Sequence, residues 1–184
     1  MKRLFDIACS LAGLVLLGWL ILLLAWMIRR ESDGAGIFRQ SRVGQGERVF
    51  TFYKLRTMRS GTAHAASHET PRAAVTPLGA RLRHFKLDEL PQLWNVLKGD
   101  MSLVGPRPCL PTQRQLIEAR RERGVFALRP GITGPAQIAG VDMSDPERLA
   151  VLDAAYLREQ SFFGDLGLIL KTVFGGGRGD RVRS

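Results

Sequence analysis

The sequence predicts an α/β chain, mostly helical with a small sheet, that begins with a membrane-inserted helix. Three observations carry this. Ile7 to Ile28 is a run of 22 residues without a charge. At about 1.5 Å per residue that is roughly 33 Å of helix, enough to match a hydrocarbon core of about 30 Å. Two short β-rich runs follow, Ile37-Phe-Arg-Gln40 and Val49-Phe-Thr-Phe-Tyr-Lys54, joined by the turn-rich Ser41–Glu47. Further on, Leu90, Leu93, Trp94 and Leu97 recur at the i, i+3, i+4, i+7 spacing of an amphipathic helix that Gly99 stops.

The remaining elements follow in order. Met1 to Arg30 forms the membrane segment, 31–174 the polar domain and 175–184 a loose tail. Trp26-Met-Ile-Arg-Arg30 lacks the small residues of a cleavage site, so the apolar run stays attached. Lys2 and Arg3 flank one end and Arg29 and Arg30 the other. Equal basic flanks fit a spanning helix and equally one that enters and returns on the same face. Residues 60–75, rich in Ser, Thr, Ala and His, read as a flexible loop. Thr76-Pro77 opens a helix as cap and first residue, with Leu78, Leu82 and Phe85 on its apolar face. Asp88 falls near the N-cap of the next helix. Pro111 to Arg123 is helical and very polar, and Arg129 to Gln137 is an irregular loop. Ser144-Asp-Pro-Glu147 reads as a capping box that starts a helix to about Gln160. Phe162 to Phe174 suits an interfacial helix and a core helix alike.

Composition narrows the function. With 184 residues the chain is one domain plus an appendage. Lys and Arg number 27 against 17 Asp and Glu, a net +10. That balance suits an anionic partner: a membrane surface, a nucleotide or phosphorylated substrate, or nucleic acid. The excess is dense between residues 29 and 59, where Arg29, Arg30, Arg39, Arg42, Arg48, Lys54, Arg56 and Arg59 face only Glu31, Asp33 and Glu47. Cys9 and Cys109 are the only cysteines, too few for a disulfide framework and unsuited to a zinc site. His64 and His68 are four apart but sit in an expected loop with no Cys nearby, which argues against a metal site there. Gly44-Gln-Gly46 lacks the third glycine and helix of a dinucleotide fingerprint and is a turn.

The chemistry concentrates in Lys86–Pro108. Asp88 and Glu89 are adjacent carboxylates at a helix start, Arg83 and Lys86 lie just upstream, and Arg107 sits between two prolines downstream. An Asp at such a position is commonly a helix cap worth about 1 kcal/mol. Paired carboxylates beside cations are also what magnesium-assisted phosphoryl chemistry uses: oxygen ligands for a hard cation, a carboxylate nucleophile, and arginine to neutralise phosphate.

The run Lys86–Pro108 resembles the signature of the bacterial sugar transferases, the small monotopic phosphoglycosyl transferases. Four further blocks resemble that family in its order: Lys2-Arg-Leu-Phe-Asp-Ile7, Ile37-Phe-Arg-Gln-Ser-Arg-Val-Gly44, Phe52-Tyr-Lys-Leu-Arg-Thr-Met58 and Arg129-Pro-Gly-Ile-Thr-Gly134. The resemblance implies transfer of a sugar 1-phosphate from a UDP-sugar to undecaprenyl (polyprenol) phosphate. UMP is released, through a covalent aspartyl-phosphosugar intermediate on Asp88, at the first membrane step of a glycoconjugate pathway such as O-antigen or exopolysaccharide synthesis. It implies Mg²⁺ held by Asp88 and Glu89, with Glu89 either holding the metal or assisting proton removal. Arg83 and Arg107 match family arginines near the phosphate. Lys54, Arg129 and Gln137 match recurrent polar positions expected to bind substrate phosphate, and Asp165 one expected to support the site. The implied setting is the cytoplasmic face of a bacterial inner membrane, on anionic lipids, with interfacial amphipathic helices, no nucleic-acid partner and an oligomer left open. The implied first helix is re-entrant. Where relatives bend it at a Ser-Pro pair, this chain has Gly18-Trp19, so the bend is expected at Gly18. Many relatives carry Asn-Gly-Arg in the loop that here reads Ile138–Met143, with Val141 in place of the Arg. The competing reading is a membrane-tethered basic module that binds lipid or nucleic acid without catalysis. It leaves the acidic pair and the ordered blocks unexplained.

Overall fold

A computed structural model describes residues 1–61 and 74–174. His64, His68, most of the expected 60–75 loop and the tail lie outside the described residues. Helix α1 spans Lys2–Glu31, and strands β1 (Ile37–Val43) and β2 (Val49–Leu55) form an antiparallel hairpin. Helices α2 (Pro77–His84) and α3 (Gln92–Lys98) come next, then strand β3 (Ser102–Val104) and helix α4 (Arg114–Glu122). Strand β4 (Gly131–Thr133) and helices α5 (Pro135–Ile138), α6 (Pro146–Glu159) and α7 (Phe162–Val173) complete the chain. The expected class holds: mostly helical, with little sheet.

Hydrophobic burial organises these elements into three clusters. Ile21, Leu24 and Ile28 of α1 pack on Leu55 and Leu82. Phe52, Val96 and Met101 join the hairpin to α3 and β3. Val43, Leu116, Ala119, Leu149 and Ala150 fill the space between β1, α4 and α6. The hairpin's register pairs Ile37 with Leu55 and Val43 with Val49. Asn95 stitches it to α3, accepting from the Tyr53 amide (3.1 Å) and donating to the Thr51 carbonyl (2.7 Å).

Helix α1 is tied to the body at both ends. At its start, Lys2 pairs with Asp165, and Arg3 donates to the carbonyls of Val96 (2.7 Å) and Leu97 (3.1 Å). Asp6, 3% exposed, accepts from the Ser102 hydroxyl (2.9 Å) and the Leu103 amide (3.2 Å). At its end, Glu31 accepts from the Leu78 amide (2.9 Å). Leu11, Val15, Leu16, Trp19, Leu22 and Trp26 are exposed along the outward side. The helix runs without interruption through Gly18, so no break in it marks the expected bend.

Several local expectations are corrected. Asp88 is not the cap of α3: it lies in a 3-10 turn, Leu87–Glu89, and Pro91 holds the cap position. Phe85 is 67% exposed rather than on the apolar face of α2, because the helix ends at His84. Helix α4 begins at Arg114, since Pro111 and Thr112 turn before it. The cap of α6 is Asp145, which accepts from the Arg148 amide (3.2 Å). Ser144 is instead held by Asp142, to which its hydroxyl donates (2.6 Å). The irregular stretch after Arg129 contains β4 and α5, and β4 pairs in parallel with β3. Thr76 caps α2 as expected, accepting from the Gly79 amide (3.0 Å). On α7, Phe163, Leu170 and Val173 are exposed, the pattern of an interfacial helix.

Gly79 shows how tightly α2 is seated. A Cβ there would lie 2.1 Å from the Thr57 carbonyl oxygen, whereas one at Gly167, inside α7, would meet nothing within 4 Å. Gly79→Ala is therefore expected to destabilise the protein by about 1–3 kcal/mol, the usual cost of overpacking. Gly167→Ala is expected to be neutral or stabilising by up to about 1 kcal/mol. Denaturant unfolding in detergent, followed by tryptophan fluorescence, reads both.

Candidate active site

The turn that carries the acidic pair is set by local backbone geometry. Lys86 takes a left-handed conformation (φ 56°, ψ 20°), reversing the chain after α2. Leu90 and Pro91 then have right-handed helical dihedrals that lead directly into α3. Asp88, Gln92 and Asn95 accordingly share one buried side of a continuous helical run, at 7%, 0% and 0% exposure. Asn95 spends its amide on the hairpin, as described above. Gln92 has neither amide atom met by a protein group among the described residues. A fully buried amide next to the acidic turn is a polar feature that sequence spacing alone did not single out.

Arg107 closes on this turn from the other side. Its guanidinium pairs with Glu89 at 2.8 Å, both side chains being mostly buried. The segment carrying it, Gly105–Pro108, is fixed by the parallel pairing. Gly105 donates to Thr133 (2.9 Å) and Gly131 donates to the Pro106 carbonyl (2.9 Å). The two backbones pass so closely that a Cβ on Gly131 would lie 2.1 Å from the Gly105 nitrogen. Glycine is required there by contact rather than by an unusual dihedral.

Two buried arginines hold this segment from behind, and neither was foreseen. Arg120 donates through Nη1 to the Arg107 carbonyl (2.9 Å) and through Nε and Nη2 to Asp153 (2.9 and 2.7 Å). Arg42 donates to the Pro108 carbonyl (3.0 Å), is held by the Gln40 side chain (2.7 Å) and lies over the Phe52 ring. Burial pushes the Asp153 carboxyl above its ordinary range, opposed by the charge and hydrogen bonds of Arg120. Burial likewise pushes up the Cys109 thiol, which is fully enclosed and suited to packing rather than to nucleophilic work. The missed residues did leave a signal. Arg120 falls in the stripe of Leu116 and Ala119, and Asp153 in that of Leu149, Ala150 and Ala154. A charge within an apolar stripe marks a buried pair.

The other expected site residues are dispersed. Arg129 donates to the Gly99 carbonyl (3.2 Å) and Gln137 to the Ile132 carbonyl (2.7 Å), both local ties. Asp165 sits at the root of α1, accepting from Tyr156 (2.6 Å) and Lys2. Burial first, and then this bond to Asp165, raise the Tyr156 pKa, keeping it a donor. Arg83 lies in the last turn of α2, just before the acidic turn. Lys54 lines a separate cavity beside α1. Among the described residues no group of three metal-ligating side chains occurs. Asp88 and Glu89 alone fit the mode in which Mg²⁺ takes one or two carboxylates and completes its shell with water and substrate phosphate.

Arg120→Ala would leave Asp153 buried beside no cation. It is expected to destabilise the fold by about 3–5 kcal/mol, read as a shifted denaturation midpoint. Arg120→Lys, which restores charge without the planar fork, should recover part of that loss.

The sequence profile described as Bacterial sugar transferase matches residues 1–177. The chain is 36% identical over 188 residues to the galactosyl transferase CpsE of Streptococcus agalactiae, covering 94% of this chain and 41% of that protein. It is 40% identical over 187 residues to an undecaprenyl-phosphate glucose phosphotransferase of Komagataeibacter xylinus, covering 94% and 35%. It is 38% identical over 182 residues to a UDP-glucose:undecaprenyl-phosphate glucose-1-phosphate transferase of Caulobacter vibrioides, covering 94% and 68%. The chain thus spans well under half the length of the first two relatives. With the profile matched from the first turn of α1 past the end of α7, and with the acidic turn, Arg107 and the parallel pair forming one site, this chain belongs to the bacterial sugar transferase family.

Proposed function

We propose that the chain transfers a sugar 1-phosphate from a UDP-sugar to a polyprenol phosphate at a membrane surface, with Asp88 as the nucleophile. The observation that carries this is the meeting of the buried Asp88–Glu89 turn with Arg107, 2.8 Å from Glu89, inside a chain whose relatives are named for this transfer. An Asp88 oxygen attacks the β-phosphorus, and the bond from that phosphorus to the bridging oxygen breaks. UMP leaves with that oxygen, and Asp88 carries the phosphosugar. A phosphate oxygen of the acceptor then attacks the same phosphorus, freeing the carboxylate and forming the lipid diphosphosugar. With both phosphate monoesters as dianions, charge balances in each step and no proton moves. Glu89 then need not be a base: held by Arg107, it fixes the acidic turn and helps hold the cation. Mg²⁺ bound by Asp88 and Glu89 would neutralise the diphosphate. Arg107 and Arg83 supply further positive charge, Arg107 in fork geometry suited to phosphate. The named relatives act on different sugars, galactose and glucose, so the donor is left to a panel of UDP-sugars.

The same reading places α1 in the membrane with both ends on the cytoplasmic face, as a re-entrant helix would be. Support comes from the anchors at its two ends: Lys2, Arg3 and Asp6 on one side and Glu31 on the other bind the same body. A helix crossing the bilayer would carry one set away from its partners. The exposed apolar sides of α1 and α7, and the exposed Trp94 of α3, are suited to lipid.

Two measurements check this. Wild type with Mg²⁺ is expected to release UMP from one UDP-sugar and to retain a covalent phosphosugar when no acceptor is present. Asp88→Asn is expected to lose the adduct and about 10³-fold or more of turnover, and full turnover in that variant removes Asp88 as nucleophile. For topology, an export-sensitive fluorescent protein fused ahead of Met1 should fluoresce in cells as brightly as one fused after Ser184. A dark N-terminal fusion with an intact C-terminal one would mean a spanning helix.

A further inference from the structure

A cavity of about 850 Å³ lies where the C-terminal end of α1 meets the hairpin. Its wall contains Arg29, Arg39, Lys54, Arg56 and Arg59 and, among the described residues, no carboxylate. Arg56 is committed to structure: it donates to the carbonyls of Ser32 (2.7 Å) and Asp33 and to the Ser60 hydroxyl (2.5 Å), which fixes the linker that forms one rim. Lys54 is buried and rests over the Phe38 ring at 5.6 Å, and Arg39 lies over Tyr53 at 5.9 Å. These ring contacts hold the cations at the wall. The remaining lining includes the apolar Ala25, Ala35, Ile37, Phe38 and Met58.

Such a pocket suits an amphiphile with an anionic head. A wall of several cations in partly buried surroundings favours a phosphate, because the anion offsets their desolvation and mutual repulsion. Two features select a lipid phosphate over a nucleotide. Ala25 and Arg29 belong to α1, whose neighbouring Leu22, Leu23 and Trp26 are exposed on its apolar side. The lining also offers Gln40 as its sole amide side chain, which is poor equipment for reading a base. The cavity borders the chemistry as well. Strand β2, which supplies Lys54, packs against the Leu87–Glu89 turn, and Leu55 clusters with Leu87 and Leu90.

We propose that this cavity is the acceptor's port: it takes the phosphate head and first isoprenoid units of a polyprenol phosphate arriving along α1, with Arg29 and Arg39 guiding the head toward Asp88. This assignment rests on the transfer proposed above, and its test separates the two. Two full-length variants in nanodiscs probe it: Arg29→Ala/Arg39→Ala, which removes charge, and Ala35→Trp, which fills space from an exposed position on the rim. Farnesyl phosphate serves as a soluble probe that needs no donor, with farnesol and UMP as controls. Both variants are expected to weaken farnesyl phosphate binding about tenfold, the scale of losing a charge-assisted hydrogen bond, and to leave UMP binding unchanged. In turnover, the adduct should form from the UDP-sugar at the wild-type rate. Its discharge should then need about tenfold more undecaprenyl phosphate for half-saturation, the same loss read kinetically. Wild-type binding of farnesyl phosphate by both variants would overturn the proposal. So would slowed adduct formation with normal discharge, which would make the cavity a donor site. If wild type forms no adduct from any donor but binds farnesyl phosphate through these residues, the transfer reading fails and the lipid-phosphate port stands.

Discussion

The candidate site depends on one buried ion pair. Arg120 and Asp153 face each other at 2.7 Å with side chains only 2% exposed, at the crossing of α4 and α6. A buried pair of this kind stabilises little by itself, since the desolvation of both charges offsets most of their attraction. Its value here lies in geometry. The guanidinium has donors left after meeting Asp153, and one of them holds the carbonyl of Arg107. The backbone of the Gly105–Pro108 segment is thereby fixed, Arg42 fixing its next carbonyl, and the Arg107 side chain is aimed at Glu89. A chain of charge runs from Asp153 to Glu89 through two arginines, one acting by its fork and the other by both its backbone and its fork.

Rigidity of this kind is what phosphoryl transfer asks of a protein. In the transfer proposed above there is little covalent work beyond the Asp88 carboxylate, so the rate would depend on holding cations where charge develops and on fixing the nucleophile's approach. The acidic turn meets the second requirement through its backbone: the left-handed Lys86 and the 3-10 turn seat Asp88 on the buried side of a run that continues as α3. Asn95, further along that run, binds the hairpin. Strand β2 is thus coupled both to the acidic turn and, through Lys54, to the cationic cavity beside α1.

Much of this architecture was legible in the sequence wherever the signal is local. The hairpin, the Thr76-Pro77 start of α2 and the Gly99 stop of α3 each rest on a few adjacent side chains and formed as read, whereas the apolar stripe of α3 does not mark its buried side: Gln92, Asn95 and Val96 are buried and Trp94 is 50% exposed. The readings that failed were those decided by distant or competing partners. Ser144 had the spacing of a capping box, but the Asp142 carboxylate captured its hydroxyl and Asp145 took over the cap. Strands β3 and β4 are three residues each, too short to show alternation, and they exist because Gly105 and Gly131 let two backbones touch. Of the site, Asp88, Glu89 and Arg107 were found because they are close in sequence. Arg42, Arg120 and Asp153 act across separations of tens of residues; placement within an apolar stripe hinted at burial for Arg120 and Asp153, and nothing local did so for Arg42. Arg129 and Gln137, drawn from resemblance, make backbone ties near the site rather than joining the acidic cluster.

Helix α1 combines two demands that usually conflict. Its outward side is apolar enough for lipid, while its inward side carries Asp6 and, at its first turn, Lys2 and Arg3, all bound to the body. These polar groups would be costly in hydrocarbon without partners, so on the membrane placement proposed above the body must stay against the start of the helix. At the other end Ile21, Leu24 and Ile28 pack on Leu55 and Leu82, and Glu31 accepts from the Leu78 amide. A helix constrained at both ends cannot act as a loose tether. With α1 in the membrane as proposed above, it would set the height of the acidic turn relative to the headgroups and make the wall of the cationic cavity partly a membrane element. On the transfer proposed here, the acceptor would then need no extraction into water: its chain stays beside α1 while its phosphate moves along a cationic wall whose supporting strand packs on the turn of Asp88.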